Sequence, residues 1–567
     1  MNTNELYSIW KDRVKADELK NDLENISEEE IFDRFYRELD FGTAGLRGVL
    51  GAGTNRMNIY TVARASTGVA KYVSGIKRSA SIAIAYDSRN NSELFAKTAA
   101  AVYASFGIKV YVYPYLMPTP ALSYAVRTLG TDAGVVVTAS HNPAKYNGYK
   151  VYGNDGCQIG SEVANSILEK IAETPYFEEI PSFDKLLDDG VIEYISDDII
   201  NGFVDGAISA GKSLRNIERN LKLVYTPLNG AGLMSVTKAL DKCGYKNIII
   251  VPEQKDPDGN FPTCPYPNPE FKEALALGLE LLKKEKADLL LATDPDSDRV
   301  GTAVLDGEGY RLISGNEMGI LLLDYICRQR LANGNMPKDP MAVKTIVSSA
   351  MTDEVAKKYG VRIVDVLTGF KYIGEQIALL EEKDSRDSYV FGFEESYGYL
   401  CSPYVRDKDA VSASVIICEM ANFYKSEGKT LGDRMDELYR EFGSYKNVTD
   451  NFAFEGSAGM EKMASIMESL RNEPPVELFG RKLLKVSDYK KSESYDMDGN
   501  VEKLDLPKSN VLKFIFENGL TVIARPSGTE PKLKIYYTIK ADTEREAEEM
   551  VSTLTGKDGI FASKFIK

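Results

Sequence analysis

Residues 81–89 read SIAIAYDSR, residues 92–107 SELFAKTAAAVYASFG, residues 109–115 KVYVYPY and residues 132–140 DAGVVVTAS. Short apolar runs alternate with a helix-length amphipathic run, which predicts β-α-β units and a largely parallel sheet. The same order returns downstream. LKLVYTPLNGAG at 221 leads through a helix to NIIIV at 247, a predicted helix PEFKEALALGLELLKKEKA at 269, and DLLLA running into TDPDSDR. In that helix Phe271, Leu275, Leu279 and Leu282 would share one face. A third round begins at MAVKTIVSS (341), continues with a helix from Thr352 and VRIVDV running into LTGFKYIG, and closes with SYVFGF running into EESYGY.

The tail changes character. NVLKFIFENGLTVIARPSGTEPKLKIYYTIK, 510–540, predicts two strands joined at Asn518-Gly519, then a loop, a further strand and a helix. The fold class is therefore α/β: three αβα domains with mixed, largely parallel sheets, followed by a C-terminal α+β domain. The expected limits are 1–205, 206–315, 316–445 and 446–567. A chain of 567 residues has the length for several such cores.

A hydrophobic content of 43% and a charged content of 27% fit a soluble globular protein. The net charge of −15 argues against nucleic acid or an anionic membrane as partner, so an anionic ligand must be met by local clusters of cations. The six cysteines form no C-x-x-C pair, which speaks for reduced thiols over a zinc knuckle or disulfide framework. The polar start MNTNELYSIWKDRVKADELK carries no apolar core of a leader, and no apolar run reaches the roughly 18 residues that span a bilayer. A cytoplasmic protein is expected.

In each αβ block the unusual polar residues come directly after an apolar strand, where open α/β sheets bind ligands. Asp294, Asp296 and Asp298 alternate along TDPDSDR and, in an extended stretch, would point to one side. Three hard oxygen donors suit Mg²⁺, whereas an EF-hand would need Gly and Glu at positions held by Arg299 and Leu305. Packed together without a cation, the three carboxylates would repel one another. RPSGTEPK, 525–532, gathers Arg525, Ser527, Gly528, Thr529 and Lys532, donors suited to a phosphate. FGTAGLRG, 41–48, is Gly-rich around Arg47 but lacks the phosphate-loop pattern G-x-x-x-x-G-K-[ST]. GFEES, 392–396, offers Glu394, Glu395 and Ser396, acceptors that suit the hydroxyls of a sugar, but by itself the stretch reads as a polar strand-end turn.

TASHNP, 138–143, holds the single histidine of the chain beside Ser140. Neighbours in a loop generally point apart, and a triad base normally reaches its serine from elsewhere in the fold. His141 is expected to hold the loop by hydrogen bonds, and one histidine cannot make a two-histidine metal site.

TASHNP, DPDSDR, GFEES and RPSGTEPK, in this order and one per domain, resemble the motifs of the α-D-phosphohexomutase family, the phosphoglucomutases and phosphomannomutases. FGTAGLRG, LTGFKYIG and RDKD at 406–409 make the chain most similar to the phosphoglucomutase-2-like branch, which includes phosphopentomutases and glucose-1,6-bisphosphate synthases. The resemblance implies four domains around a central cleft and a Ser140 that is phosphorylated in the working enzyme. It implies that Asp294, Asp296, Asp298 and the phosphoserine hold Mg²⁺, that Glu394 and Ser396 read the sugar, and that Arg525, Ser527, Gly528, Thr529 and Lys532 hold the non-reacting phosphate. It further implies that Thr43, Arg299, Thr368, Gly369, Lys371 and Lys408 take part in substrate binding, and that Arg47, Lys150 and His141 belong to the catalytic group. The implied reaction interconverts glucose 1-phosphate and glucose 6-phosphate through glucose 1,6-bisphosphate, in a cytoplasmic monomer or homodimer. A lysine that serves as base would need its ordinary pKa, near 10.4, brought down. Some bacterial relatives carry a histidine just after the sugar loop. EESYGY has none, which weakens the case for mannose phosphate. Phosphopentose, phosphomannose and bisphosphate synthesis are the alternatives within the family; a phosphoserine hydrolase and a sugar-phosphate sensor are those outside it.

Overall fold

A computed structural model describes residues 2–42, 44–211, 218–307, 309–454, 456–527 and 532–566. Its first sheet has six strands, in the order Gly45–Val49, Tyr146–Gly153, Ala133–Val137, Ser81–Tyr86, Lys109–Val112 and Ile192–Tyr194. The last four run parallel, and the first two are added antiparallel at one edge. Every residue of Ala133–Val137 is buried, as expected of a strand covered by helices on both faces.

The second sheet places Gly309–Ile313, Val300–Asp306, Leu289–Thr293, Leu223–Thr226 and Ile248–Ile250 side by side, and the third Arg362–Val366, Met341–Thr345, Tyr389–Glu394 and Gly398–Leu400. Both combine parallel strands with an antiparallel edge. The fourth is an eight-stranded antiparallel sheet. In it Leu512–Phe516 returns as Thr521–Pro526 through Asn518 and Gly519, whose φ angles of 53° and 76° are the positive values a tight hairpin demands.

The predicted helix from 269 is shorter than its periodicity suggests. It spans Ala276–Glu285 and buries Leu279 and Leu282, while Leu275 is a buried cap and Phe271 is exposed. Ahead of it, Asn268 accepts from the Glu270 amide, and Glu270 turns away to pair with Arg299 at 2.9 Å. The turn serves the site at the expense of helix length.

One hydrophobic core runs through all three αβα units, from Val136 through Leu289 to Phe391. A smaller cluster joins Ile346, Val347 and Leu367 of the third unit to Tyr489, Val511, Ile523 and Tyr536 of the fourth. The first and third units are also locked by charge. Glu381 pairs with Arg127 at 2.8 Å and with the fully buried Arg406 at 2.5 Å. Burial alone would raise the Glu381 carboxyl, but the two arginines outweigh it and bring the pKa from 4.5 to about 2. A depressed pKa gives stability above the unfolded value that is lost as pH falls from 4.5 towards 2. Glu381→Gln is therefore expected to cost about 1–2 kcal/mol at neutral pH. Thermal melts at pH 7 and pH 3 should show that deficit shrinking in acid; equal deficits would mean that charge is not the source.

Candidate active site

Each αβα unit presents its chemistry where a buried strand ends. After Ala133–Val137, the Thr138 hydroxyl accepts from the Ser140 amide at 2.8 Å, and Ser140 adopts a left-handed φ of 53°. That φ is uncommon for a residue other than glycine. Ser140 is 4% exposed, and its Oγ donates to Asp294 Oδ2 at 2.9 Å. The expectation that Ser140 and His141 diverge is corrected here: the left-handed turn brings Oγ and His141 Nδ1 to 3.2 Å. Burial, reinforced by Arg299 and Arg47, holds the imidazole well below its ordinary pKa, so it is neutral at pH 7.

The aspartate trio is fully buried, and one oxygen from each carboxylate lies within 4.8 Å of the other two. They converge through a turn, in which the Ser297 amide donates to the Asp294 carbonyl at 2.8 Å, and not through the extended alternation expected. Asp294 Oδ1 accepts from the amides of Asp298 and Arg299 at 3.1 and 3.0 Å. Asp296 Oδ2 accepts from the Thr119 hydroxyl at 2.9 Å and from Lys150 Nζ at 3.0 Å. Asp298 Oδ2 lies 3.2 Å from Lys408 Nζ and 4.0 Å from Lys150 Nζ. The second oxygens of Asp296 and Asp298 are buried without a hydrogen-bond partner. Burial and the other two carboxylates push the Asp294 carboxyl well above its usual range. A compact set of oxygen donors with uncommitted atoms fits a hard divalent cation such as Mg²⁺.

The third unit closes on this centre. Arg299 bridges to Gly398, and Lys408 crosses that glycine so tightly that a Cβ there would lie 2.3 Å from the lysine Cδ. Lys408 also pairs with Asp407 at 3.0 Å, and Tyr152 donates to the other oxygen of Asp407 at 2.6 Å. Glu394 accepts from the Gly369 amide at 2.8 Å, which ties the sugar-type loop to Thr368, Gly369 and Lys371. Burial lowers the Lys371 ammonium's pKa. Ser396 follows in the turn, partly buried. Glu395 faces the other way and accepts from Thr345 at 3.1 Å; burial and Glu394 push it up to about 7.

In the fourth unit Arg525 lies on Thr521–Pro526, and the Ser527 amide donates to the Lys532 carbonyl at 2.7 Å. Arg525 Nη1 is 3.5 Å from the Tyr536 hydroxyl. Burial, reinforced by the charges of Arg525 and Lys532, lowers the pKa of Lys534, and Glu395 of the third unit opposes it. Thr43, Gly528 and Thr529 lie outside the described residues. Arg47 is exposed on Gly45–Val49, a strand that pairs with the one carrying Lys150.

Direct contacts thus unite Ser140, His141, Lys150, the three aspartates, Arg299 and Lys408. Sequence reasoning did not single out Arg89, Thr119, Tyr152, Glu270 or Lys534, and reached Asp407 only as part of RDKD. Of these, Arg89 was the most visible, because SIAIAYDSR places it at the end of a parallel strand.

A hydroxyl aimed into buried carboxylates that two lysines pair with is the apparatus of a phosphoryl-transfer enzyme. Four domain descriptions match in chain order: phosphoglucomutase/phosphomannomutase alpha/beta/alpha domain I over residues 38–177, domain II over 201–307, domain III over 314–442, and the C-terminal domain over 479–554. The chain belongs to the phosphoglucomutase/phosphomannomutase family and is an intramolecular phosphotransferase, an isomerase. It is 37% identical over 541 residues to a phosphoglucomutase of Staphylococcus saprophyticus, covering 95% of this chain and 97% of that one. It is 36% identical over 561 residues to a phosphoglucomutase of Staphylococcus aureus strain USA300, covering 96% and 98%. The fold is shared with a putative phosphomannomutase from Thermus thermophilus (TM-score 0.65, 21% identity, 91% and 98% covered). It is shared too with the open form of the Paramecium phosphoglucomutase parafusin (TM-score 0.67, 17% identity, 91% and 96% covered). Among the described residues no helix is long and apolar enough to cross a membrane.

Proposed function

We propose that the chain interconverts glucose 1-phosphate and glucose 6-phosphate, with Ser140 as phosphoryl carrier and glucose 1,6-bisphosphate as the intermediate that also primes it. The observation that carries this reading is the Ser140 hydroxyl, donating at 2.9 Å into a buried aspartate trio. In the forward direction the Ser140 Oγ–P bond breaks, a bond forms between phosphorus and a sugar hydroxyl oxygen, and that hydroxyl loses its proton. The reverse transfer from the other end of the bisphosphate restores phospho-Ser140. Protein catalysis of such a transfer is chiefly positioning and charge stabilisation.

Asp294, Asp296, Asp298 and an oxygen on Ser140 would hold Mg²⁺, which when bound would neutralise charge on the transferring group. Arg47 supports that neutralisation from the adjoining strand. Lys150 stands beside the same centre; paired with Asp296 it is an ammonium, and it could accept the sugar proton only after handing its own proton to solvent. Glu394 and Ser396 would accept from sugar hydroxyls, and Thr43, Thr368, Gly369, Lys371, Arg299 and Lys408 would take part in substrate binding. Arg525, Ser527, Gly528, Thr529 and Lys532 take the phosphate that is not reacting. His141, a neutral neighbour of Ser140 Oγ, orients the loop. A cytoplasmic location accompanies this reading and is supported by six cysteines that are not joined in disulfides.

A coupled assay of glucose 6-phosphate formation, run in parallel with mannose 1-phosphate and ribose 1-phosphate, tests the assignment. Preference for either of those sugars by kcat/KM would overturn it. The phosphate loop should act mainly through binding, because it holds the end of the substrate that does not react. Arg525→Ala is expected to raise KM for glucose 1-phosphate by about 10-fold or more, with a smaller change in kcat. A fall in kcat at constant KM would place Arg525 in the chemical step instead.

A further inference from the structure

Arg89 follows the strand Ser81–Tyr86, and its side chain is fully buried. Its Nε and Nη2 donate to the Ser140 carbonyl at 3.2 and 2.5 Å. Nη2 also donates to the Asn142 carbonyl. Nη1 donates to the carbonyls of Pro143 and Tyr146, each at 3.1 Å. A guanidinium has five N–H donors, and here all five are given to main-chain oxygens of one loop. The Phe261 ring of the second unit covers the guanidinium, with its centroid 5.0 Å away. Asp87 stands 3.5 Å from Nε and accepts from the Arg89 amide at 2.9 Å. Asn147 closes the far end of the loop by donating to the Asn90 carbonyl at 2.9 Å. The turn is packed so closely that a Cβ on Gly259 would lie 2.3 Å from the Asn90 nitrogen.

We propose that Arg89 is a positioning residue for phosphoryl transfer, which rests on Ser140 being the carrier. By fixing the Ser140 carbonyl and three others in the loop, it holds Ser140 in the left-handed conformation that aims Oγ at Asp294. A left-handed backbone at a non-glycine residue persists only where its surroundings over-determine it. With every donor committed, Arg89 has none to offer a substrate, so its loss acts on the chemical step and leaves binding alone. A lysine has three donors and keeps the charge, so it separates geometry from electrostatics.

The test compares wild type with Arg89→Met and Arg89→Lys for kcat, KM, single-turnover phosphorylation of Ser140 by glucose 1,6-bisphosphate, and hydrogen exchange of amides 140–147. Displacement of a reacting group by an ångström can cost about 100-fold, so the methionine variant is expected to lose about that much kcat, with KM within about twofold and faster exchange in the loop. The lysine variant is expected to fall in between, about 10-fold down, at the same KM. Should the methionine variant not fold, Arg89→Lys and Arg89→Gln carry the comparison. Wild-type kcat in Arg89→Lys would mean that charge alone suffices and would overturn the inference. So would wild-type kcat in Arg89→Met, or a loss confined to KM. Absence of phosphate on Ser140 in the wild-type protein would instead bring down the proposed function, and is read before any variant is made.

Discussion

Ser140→Ala is expected to lower mutase turnover by about 10⁴-fold or more and to abolish uptake of phosphate from glucose 1,6-bisphosphate. The size of the effect follows from the role: a carrier cannot be replaced by better positioning, since the phosphoryl group has nowhere to reside between the two half-reactions. Removing one hydroxyl leaves Asp294 Oδ1 with its two backbone donors and leaves the Thr138 contact to the residue 140 amide unaltered, so the fold should survive. Intact mass before and after incubation with the bisphosphate reads the outcome. A variant that still gains one phosphate, or that turns over at the wild-type rate, would move the carrier elsewhere. Ser140→Gly should be as inactive yet easier on the backbone, because glycine tolerates the positive φ that alanine does not.

The sequence already contains the architecture where burial dictates composition. GVVV before Ser140 and LLLA before Asp294 are apolar because helices cover both faces of their strands, and the polar residues that follow mark the strand ends where the site forms. Contacts between distant segments are illegible for a physical reason. Thr119 meets Asp296 across 177 residues, and Tyr152 meets Asp407 across 255; neither pair leaves a local pattern. The residue Arg89 is visible at a strand end, but its contacts are harder still to read, because its partners are carbonyl oxygens, which every residue possesses. The approach of Ser140 to His141 depends on one backbone angle that no side-chain periodicity encodes. Lys534 hides in the inside-outside alternation of an antiparallel strand, and only the loop of the third unit facing it gives it a meaning.

Asp294→Asn separates what the trio does for the fold from what it does for the reaction. Three buried carboxylates are opposed in the protein by Lys150 and by Lys408, which Asp407 shares, with Arg299 engaged by Glu270, so that positive charge falls short. Asp294 bears that shortfall, its carboxyl pushed up by burial and by its two neighbours. An asparagine in its place keeps an oxygen for the Asp298 and Arg299 amides and removes the repulsion. Without metal the variant is expected to melt no lower than wild type, and up to about 3 °C higher. The same change deprives a divalent cation of an anionic ligand. Mg²⁺ should therefore raise the melting temperature of wild type and leave that of the variant unmoved. Turnover in saturating Mg²⁺ should fall by about 10³-fold, the worth of several kcal/mol of charge stabilisation in the transition state. Differential scanning calorimetry with and without Mg²⁺ reads binding independently of catalysis. A variant that melts well below wild type without metal would show the trio to be a structural element. One that keeps its Mg²⁺-dependent shift would show that the cation is held elsewhere.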